Sequence, residues 1–334
     1  MKQTIARVEM RGALRARGNE LIVLFSIVGF LLSVTQIFGQ SPDYDSYSDF
    51  FDLIRTEGLD VIVVSRFEPG FSFFAFLLAS LLTTNVIVYS WIVAGSMLLK
   101  GWVINVCSSS KRIFIVVAVF YLARYFSLHE LTQLRAACAI GLMLAGSVFF
   151  WRGNTLIGVF AFALALAFHM SSAAVIPALF FPPTKRWQVV SIAFLVFILV
   201  SVFAGPISVY LANLIMVFDS YQSGGFGDHR PNPFSIQLLI DWAMIFTSLL
   251  TWKRLSMPMR RVVFLELIGM AIFYGGIEFP VVAHRIREFI SVFWVFLVAD
   301  GLRLKSTRTL CYGFVVVCIL FYSYLFFISR DFFN

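Results

Sequence analysis

The chain has 334 residues, of which 60% are hydrophobic, 17% aromatic and 13% charged, with a mean hydropathy of +0.88 and a net charge of +8. A soluble domain is closer to half apolar and a quarter charged, because it must cover its surface with polar groups. The composition therefore excludes a soluble enzyme, a nucleic-acid-binding protein and a disordered chain. Since the apolar residues come in unbroken runs rather than in alternation, the sequence predicts a polytopic helical membrane protein.

The basic residues follow the positive-inside pattern. Five of them precede the first apolar run, Leu21–Phe38, so residues 1–20 are predicted to form a cytoplasmic tail before an uncleaved first helix. Residues 39–84 form a large acidic loop, which is predicted to lie outside and to contain a short helix. All lysines are interpreted as lying beside apolar runs on the cytoplasmic side; they are Lys2, Lys100, Lys111, Lys185, Lys253 and Lys305.

The remaining apolar runs predict crossings in alternating directions. Phe71–Leu82 is too short for a hydrocarbon core that needs about 20 helical residues, so it is interpreted as a short helix dipping in from outside. The predicted crossings are Leu21–Phe38, Val86–Val106, Ile113–Leu128, Leu134–Trp151, Thr155–Phe168, Ser172–Phe181, Gln188–Ala204, Phe234–Thr251, Val262–Glu278, Phe289–Ala299 and Thr309–Ile328. The prediction is one all-α domain, residues 1–334, with about 11 spanning helices and a second outer loop at 205–233.

Every basic residue on the predicted outer side is an arginine; they are Arg55, Arg66, Arg135, Arg230, Arg285, Arg287 and Arg330. Arginine presents a planar fork that binds phosphate in a bidentate manner. Arg135 opens one apolar helix, and Arg285 and Arg287 open another, where free backbone N–H groups and the positive dipole end favour an anion. The structural alternatives are headgroup anchoring and ion pairing with one of three glutamates, Glu130, Glu278 and Glu288.

The outer loop contains carboxylates and tyrosines that suit carbohydrate. Asp43, Tyr44 and Tyr47 follow the first helix, and Glu68 immediately precedes Pro69 at the start of the short helix. Aspartate accepts hydrogen bonds from hydroxyl groups, and tyrosine presents a flat apolar face with a polar tip. Glu68 is predicted either to cap the short helix or to bind sugar and accept a proton from a sugar hydroxyl.

Other ionisable residues also lie near or within apolar runs. His169 lies between two runs at a predicted outer turn, so it is either a functional group or a cap of the hairpin. Asp241 and Glu266 lie within runs, where pairing with Arg124 or a polar helix contact is favoured over a proton relay. The other histidines are far apart and predict no metal site, and no cofactor motif is present. The cysteines are predicted to be small core residues.

These residues, in this order, resemble the EpsG family of exopolysaccharide polymerases, relatives of the Wzy-type O-antigen polymerases. The matching motifs are Asp43-Tyr44-x-x-Tyr47, Glu68-Pro69-Gly70-Phe71, Arg135 followed by an alanine-rich helix, and Phe168-His169-x-Ser171. They cover roughly residues 40–180, and the C-terminal half is similar only in style, through His284-Arg285-Ile286-Arg287. One position departs from the family pattern, since Ala136 follows the arginine where a polar residue is common.

The resemblance implies a GT-C-like membrane glycosyltransferase in the bacterial inner membrane, with its active site facing the periplasm. Its substrate would be an oligosaccharide on undecaprenyl pyrophosphate, and its partners would be membrane lipid and a chain-length regulator, with no nucleic acid. The candidate bases are Glu68, Asp43 and His169, and the candidate substrate-binding residues are Arg135, Arg285, Arg287, Arg66, Tyr44 and Tyr47. A lipid-linked oligosaccharide flippase, a membrane O-acyltransferase of surface polysaccharide and a signalling or structural role are the alternatives.

Overall fold

The computed structural model describes residues 18–36, 41, 43–181, 183–214, 232–277 and 280–325. Within these ranges every regular element is a helix, which confirms the all-α prediction for this part of the chain. The helices form two compact units: unit 1 comprises residues 1–172 and 295–334, and unit 2 comprises residues 173–294. The predicted cytoplasmic tail up to residue 17 lies outside the described residues.

Unit 1 contains most of the helices. They are α1 Asn19–Val34, α2 Tyr44–Glu57, α3 Asp60–Val64, α4 Pro69–Leu81, α5 Asn85–Cys107, α6 Lys111–Tyr121, a π-helix Leu122–Glu130 that continues α6, α7 Leu134–Trp151, α8 Thr155–Phe168, α14 Trp294–Arg303, which begins at the unit boundary, and α15 Arg308–Tyr324. A 3₁₀ turn, Met170–Ala174, leads out of the first segment of this unit. The predicted short helix after Glu68 is therefore present as α4.

Unit 2 is built around one long buried helix. Its helices are α9 Ile176–Phe180, α10 Arg186–Leu214, α11 Ile236–Leu250, α12 Met257–Gly275 and α13 Pro280–Ser291, with a 3₁₀ turn at Trp252–Arg254. The central helix is α12, which packs against the other four. Because α10 continues to Leu214, residues 205–214 are helical rather than part of the predicted outer loop 205–233, of which residues 215–231 lie outside the described residues.

Four helical segments of the described chain have the length and apolar composition needed to cross a membrane. They are α5, α6 with its π-helical continuation, α7, and residues Arg186–Phe203 of α10. Five further apolar helices are shorter, namely α1, α4, α8, α11 and α15. These segments support a helical membrane protein, while the count of 11 crossings and the GT-C-like arrangement stay predictions.

Two of the predicted crossings are not continuous helices. Ser172–Phe181 consists of the end of a 3₁₀ turn and the five-residue α9, which has a proline in its first turn. Proline lacks the N–H that an upstream helix would need, so the chain cannot continue one helix through this segment. Phe289–Ala299 is likewise divided, since α13 ends at Ser291 and α14 begins at Trp294.

The α7–α8 hairpin determines where two of the predicted site residues lie. The 18 residues of α7 extend about 27 Å and the 14 residues of α8 return about 21 Å, so the start of α7 and the end of α8 lie at the same end of the hairpin. The two helices can approach closely because Gly146 faces Gly158, where a Cβ would lie 3.0 Å from the carbonyl oxygen of Gly146. Arg135 and His169 are thereby brought together.

Lys100 was wrongly assigned to a cytoplasmic gap. It lies inside α5, its side chain is completely buried, and it forms an ion pair with Glu130 at the end of the π-helix. A buried charge is tolerated only when a partner and hydrogen bonds compensate for its lost hydration. The sequence did not reveal the pairing because Lys100 stands near the end of an apolar run, where a flanking lysine is common.

Unit 2 contains a buried ion pair that also differs from expectation. Asp241 of α11 accepts a hydrogen bond from Arg287 of α13, whereas the sequence favoured Arg124 or a polar helix contact for this carboxylate. On the same helix, the His284 Nε2 atom lies 2.7 Å from Oε1 of Glu288, one helical turn away. The cysteines of the chain are all free, and Cys138, Cys311 and Cys318 are buried as predicted.

Candidate active site at the start of α4

The side chains of Glu68, Arg135 and His169, from distant parts of unit 1, form one cluster. The Nη1 atom of Arg135 donates to Oε2 of Glu68 at 2.5 Å, and Nδ1 of His169 lies 3.0 Å from Oε1. The backbone N–H of Met170 also donates to Oε1, at 3.4 Å. The exposed fractions of the side chains are 13% for Glu68, 25% for Arg135 and 16% for His169, so the cluster is shielded but can be reached from the surface.

The backbone around Glu68 explains how the carboxylate is held. Glu68 adopts an extended conformation before Pro69, and its carbonyl accepts the first hydrogen bond of α4 from the N–H of Ser72. Its side chain makes no cap hydrogen bond, so the residue occupies the N-cap position while its carboxylate points to Arg135 and His169. Gly70 lets α4 begin against the end of α8, because a Cβ there would lie 2.8 Å from the carbonyl oxygen of Ala167.

His169 ends α8 as its C-cap, in an extended conformation, and its carbonyl accepts a hydrogen bond from Oγ of Ser172. An ionised carboxylate only accepts hydrogen bonds, so the imidazole nitrogen that faces Glu68 must be the donor. In the neutral imidazole the proton is therefore on Nδ1 and the lone pair is on Nε2. This arrangement of carboxylate and imidazole holds a base in one tautomer and one orientation.

The electrostatic surroundings keep Glu68 ionised. Burial raises the pKa of its carboxyl group, but the hydrogen bond from His169 and the positive charge of Arg135 outweigh burial and lower the pKa from 4.5 to about 2. A carboxylate with so low a pKa is a weak proton acceptor near neutral pH. The arrangement therefore allows Glu68 to hold the imidazole of His169 in place, and it makes the imidazole the stronger candidate for a proton acceptor.

Phe67, an aromatic residue that sequence reasoning missed, lies close to two cations at this site. The guanidinium carbon of Arg135 lies 4.8 Å from the ring centroid of Phe67, and that of the exposed Arg66 lies 5.3 Å from it. The ring of Tyr47 stacks on Phe67 at 5.5 Å. Burial raises the pKa of Tyr47 although the charge of Arg135 opposes this, so the hydroxyl stays protonated beside the cation. Phe67 carried no signal of its own in an aromatic-rich chain.

The remaining residues of the first motif lie beside this cluster. Tyr44 is buried with its ring 5.4 Å from that of Tyr89, and Tyr89 is 6.1 Å from the ring of Tyr47. Asp43 is the N-cap residue of α2 and is half-buried, and it makes no cap hydrogen bond with its side chain. Within the described part of the chain, neither a hydrogen bond nor an ion pair joins Asp43 to Glu68 or Arg135.

Comparison with known proteins identifies the family. A family model described as the EpsG family matches residues 21–334, which is nearly the whole chain. The chain belongs to the EpsG family. Membership supports a polysaccharide polymerase of glycosyltransferase-like type, as the resemblance in the sequence predicted. No curated protein and no solved structure matches the chain.

The EpsG-family match also covers unit 2, where the late arginines lie. Arg287 is buried and paired with Asp241, which agrees with the ion-pair alternative although the partner is not one of the predicted glutamates. Arg285 is half-buried on the same helix, α13. In the ranges that the structure describes, no three or more histidine, cysteine, aspartate or glutamate residues are grouped so that they could hold a metal ion.

Proposed function

We propose that this EpsG-family chain transfers a growing glycan from undecaprenyl pyrophosphate to the non-reducing-end sugar hydroxyl of another lipid-linked repeat unit. The reaction would take place at the periplasmic face of the bacterial inner membrane. The observation that carries the proposal is the Glu68 cluster, in which an imidazole on an ionised carboxylate lies beside a guanidinium. A sugar hydroxyl is a weak nucleophile that needs a base, and a pyrophosphate leaving group needs a cation.

His169 is the base in this proposal. The acceptor hydroxyl oxygen attacks the anomeric carbon of the donor, and its proton passes to Nε2 of His169. The bond from the anomeric carbon to the pyrophosphate oxygen breaks, and its electron pair leaves with the lipid pyrophosphate. Glu68 holds Nδ1 and stabilises the imidazolium that forms, as the carboxylate does in other carboxylate–histidine pairs.

Arg135 and Arg66 bind the pyrophosphate in this proposal. Arg135 donates to Glu68 through Nη1, while its buried Nε has no hydrogen-bond partner. A buried donor without a partner is costly, and an oxygen of a bound phosphate would satisfy it. Arg66 is exposed and directly precedes Phe67 in the chain, and both guanidinium groups lie near the Phe67 ring. Each of the two groups could therefore contact one phosphoryl group.

The decisive experiment is reconstitution of the purified protein in vesicles with lipid-linked repeat units. A polymerase produces a ladder of lipid-linked chains, a flippase moves the repeat across the bilayer, and an acyltransferase modifies it without elongation.

We expect a ladder, and we expect Arg135→Ala to lower its rate of formation roughly 10²–10³-fold, since one lost donor to a developing charge costs about that much. Arg152→Ala, at the opposite end of α7, is the matched control and should keep the rate of the unaltered protein. Translocation or acylation without a ladder would contradict the proposal, as would full activity in Arg135→Ala.

A further inference from the structure

A second charged cluster is completely buried in unit 1. The side chains of Lys100 on α5 and Glu130 at the end of the π-helix form an ion pair, and neither has any exposed surface. Ser96 bridges them, since Lys100 Nζ donates to its hydroxyl at 2.8 Å and that hydroxyl donates to Glu130 at 3.3 Å. Tyr121 Oη lies 2.8 Å from each carboxylate oxygen of Glu130. All polar atoms of the pair thus have partners inside the unit.

The π-helix is what allows Tyr121 to reach Glu130. They are nine positions apart, and in an α-helix nine positions make about two and a half turns, which would place the two side chains on opposite faces. The wider i→i+5 hydrogen-bonding pattern of Leu122–Glu130 has more residues per turn and brings them to the same face. π-Helical segments are rare and are often found at functional sites. The buried cluster and the helical distortion therefore depend on each other.

The cluster leads directly to the start of α7. After Glu130, the carbonyl of Leu131 accepts a hydrogen bond from Tyr89 Oη at 2.6 Å, which ties the turn to α5. The N–H of Gln133, the N-cap residue of α7, donates to the carbonyl of His129 at 3.0 Å. Arg135 follows as the second residue of α7. A hydrogen-bonded turn of a few residues therefore connects Glu130 to Arg135.

We propose that Lys100, Glu130 and Tyr121 are positioning residues for Arg135. The inference rests on the proposed role of Arg135 at the pyrophosphate. The three residues touch no substrate; they hold the turn between the π-helix and α7 against α5, so that the guanidinium meets the leaving group. A displacement of about 1 Å at a reacting centre can lower a rate about 100-fold, so a small loosening of this turn is enough to affect turnover.

Tyr121→Phe is the most conservative test, because it removes one hydroxyl and preserves the ring. We expect turnover of lipid-linked repeats in proteoliposomes to fall about 10-fold. Tyr274→Phe is the matched control, since Tyr274 of unit 2 also has two hydrogen-bond partners, Trp242 and Pro233, and should keep full turnover. Turnover by Tyr121→Phe at the level of the unaltered protein, or an equal loss in Tyr274→Phe, would overturn the inference.

A double-mutant cycle distinguishes positioning from general stabilisation. Arg135→Lys replaces the fork with a point charge and keeps a measurable rate. If Tyr121 acts through Arg135, the double variant should be no slower than Arg135→Lys alone, because residues in one network are not additive. Losses that multiply would overturn this inference while the proposed function stands. Full turnover in an Arg135→Ala variant would overturn the proposed function, and this inference with it.

The ion pair itself is tested by removing both charges. A single change would leave a buried charge without its partner and endanger folding. Lys100→Gln combined with Glu130→Gln keeps polar groups of similar size, so we expect the melting temperature in detergent to stay close to that of the unaltered protein while turnover falls about 10-fold. Full turnover in this folded double variant would show that the pair is only structural and would overturn the inference.

Discussion

At the scale of single residues, Glu68 combines two roles that its sequence context kept separate. Pro69 marked the position as a helix N-cap, and the surrounding aromatic and acidic residues marked it as a possible base. In the structure Glu68 is the N-cap residue of α4, while its carboxylate interacts with Arg135 and His169. A carboxylate held in this way can orient a neighbour more effectively than it can accept a proton.

We predict that His169→Gln lowers chain elongation about 10²–10⁴-fold, which is the usual contribution of a positioned base. Glutamine preserves a polar group near Glu68 but cannot accept the hydroxyl proton. Binding of the lipid-linked repeat, measured separately with radiolabelled substrate, should change little. Near-normal elongation by this variant would transfer the role of base to Asp43.

The low pKa of Glu68 predicts how stability depends on pH. Because the folded pKa of about 2 lies below the unfolded value of 4.5, ionised Glu68 stabilises the fold fully above about pH 4.5, and this contribution disappears as the pH falls towards 2. Thermal unfolding in detergent should therefore show an advantage over Glu68→Gln that is present at about pH 5 and shrinks at about pH 4 and pH 3. An advantage that persists unchanged at about pH 3 would refute this assignment.

At the scale of helices, the contact between α4 and α8 shows which features a sequence can reveal. Pro69 and Gly70 signalled the start of a helix, since both act through local backbone geometry. The same letters do not reveal that Gly70 touches Ala167, because that contact depends on how two distant helices pack. The pairing of Lys100 with Glu130 was missed for the same reason, and so was the π-helix that makes it complete.

Gly70→Ala should separate α4 from the end of α8. The added methyl group would lie 2.8 Å from the carbonyl oxygen of Ala167, and overpacking of this kind costs about 1–3 kcal/mol of stability. We expect elongation to fall because Glu68 moves away from His169. Gly313→Ala on α15 is the control, since a Cβ there meets nothing within 4 Å, and it should melt at the same temperature or slightly higher. Equal activity in the two variants would show that the contact does not position the site.

At the scale of the whole molecule, the composition predicted the helical membrane class, and ordered motifs predicted the family. The number and continuity of the spans were harder to predict, because a hydrophobic run does not indicate where tertiary packing interrupts the helix. Ser172–Phe181 and Phe289–Ala299 both read as single apolar runs, and both are divided in the structure. The three residues of the Glu68 cluster were individually predictable, whereas their mutual distances depend on the α7–α8 hairpin.

The predicted orientation can be measured directly. Ser46 on α2 should lie outside and the turn containing Ser110 inside, because Lys111 and Arg112 still flank that turn after Lys100 is removed from the count. In intact spheroplasts, cysteine introduced at Ser46 should react with an impermeant thiol reagent above the level of the parent chain, and cysteine at Ser110 should not. The reverse pattern would place the Glu68 cluster on the cytoplasmic side and exclude the proposed reaction there.

During synthesis, Lys100 of the buried ion pair is made before its partner Glu130. The two residues are 30 positions apart, so at about 5–20 residues per second the ribosome delivers the glutamate some seconds after the lysine. A lysine costs about 2.5–3.5 kcal/mol at the centre of an inserting helix and less towards its end, where Lys100 lies, and the apolar remainder of α5 must outweigh this cost alone during that interval. We expect nascent chains that pair slowly to present an exposed intramembrane charge to the quality-control machinery, so the yield of this protein should depend on how quickly α6 and its π-helical extension follow α5 into the bilayer.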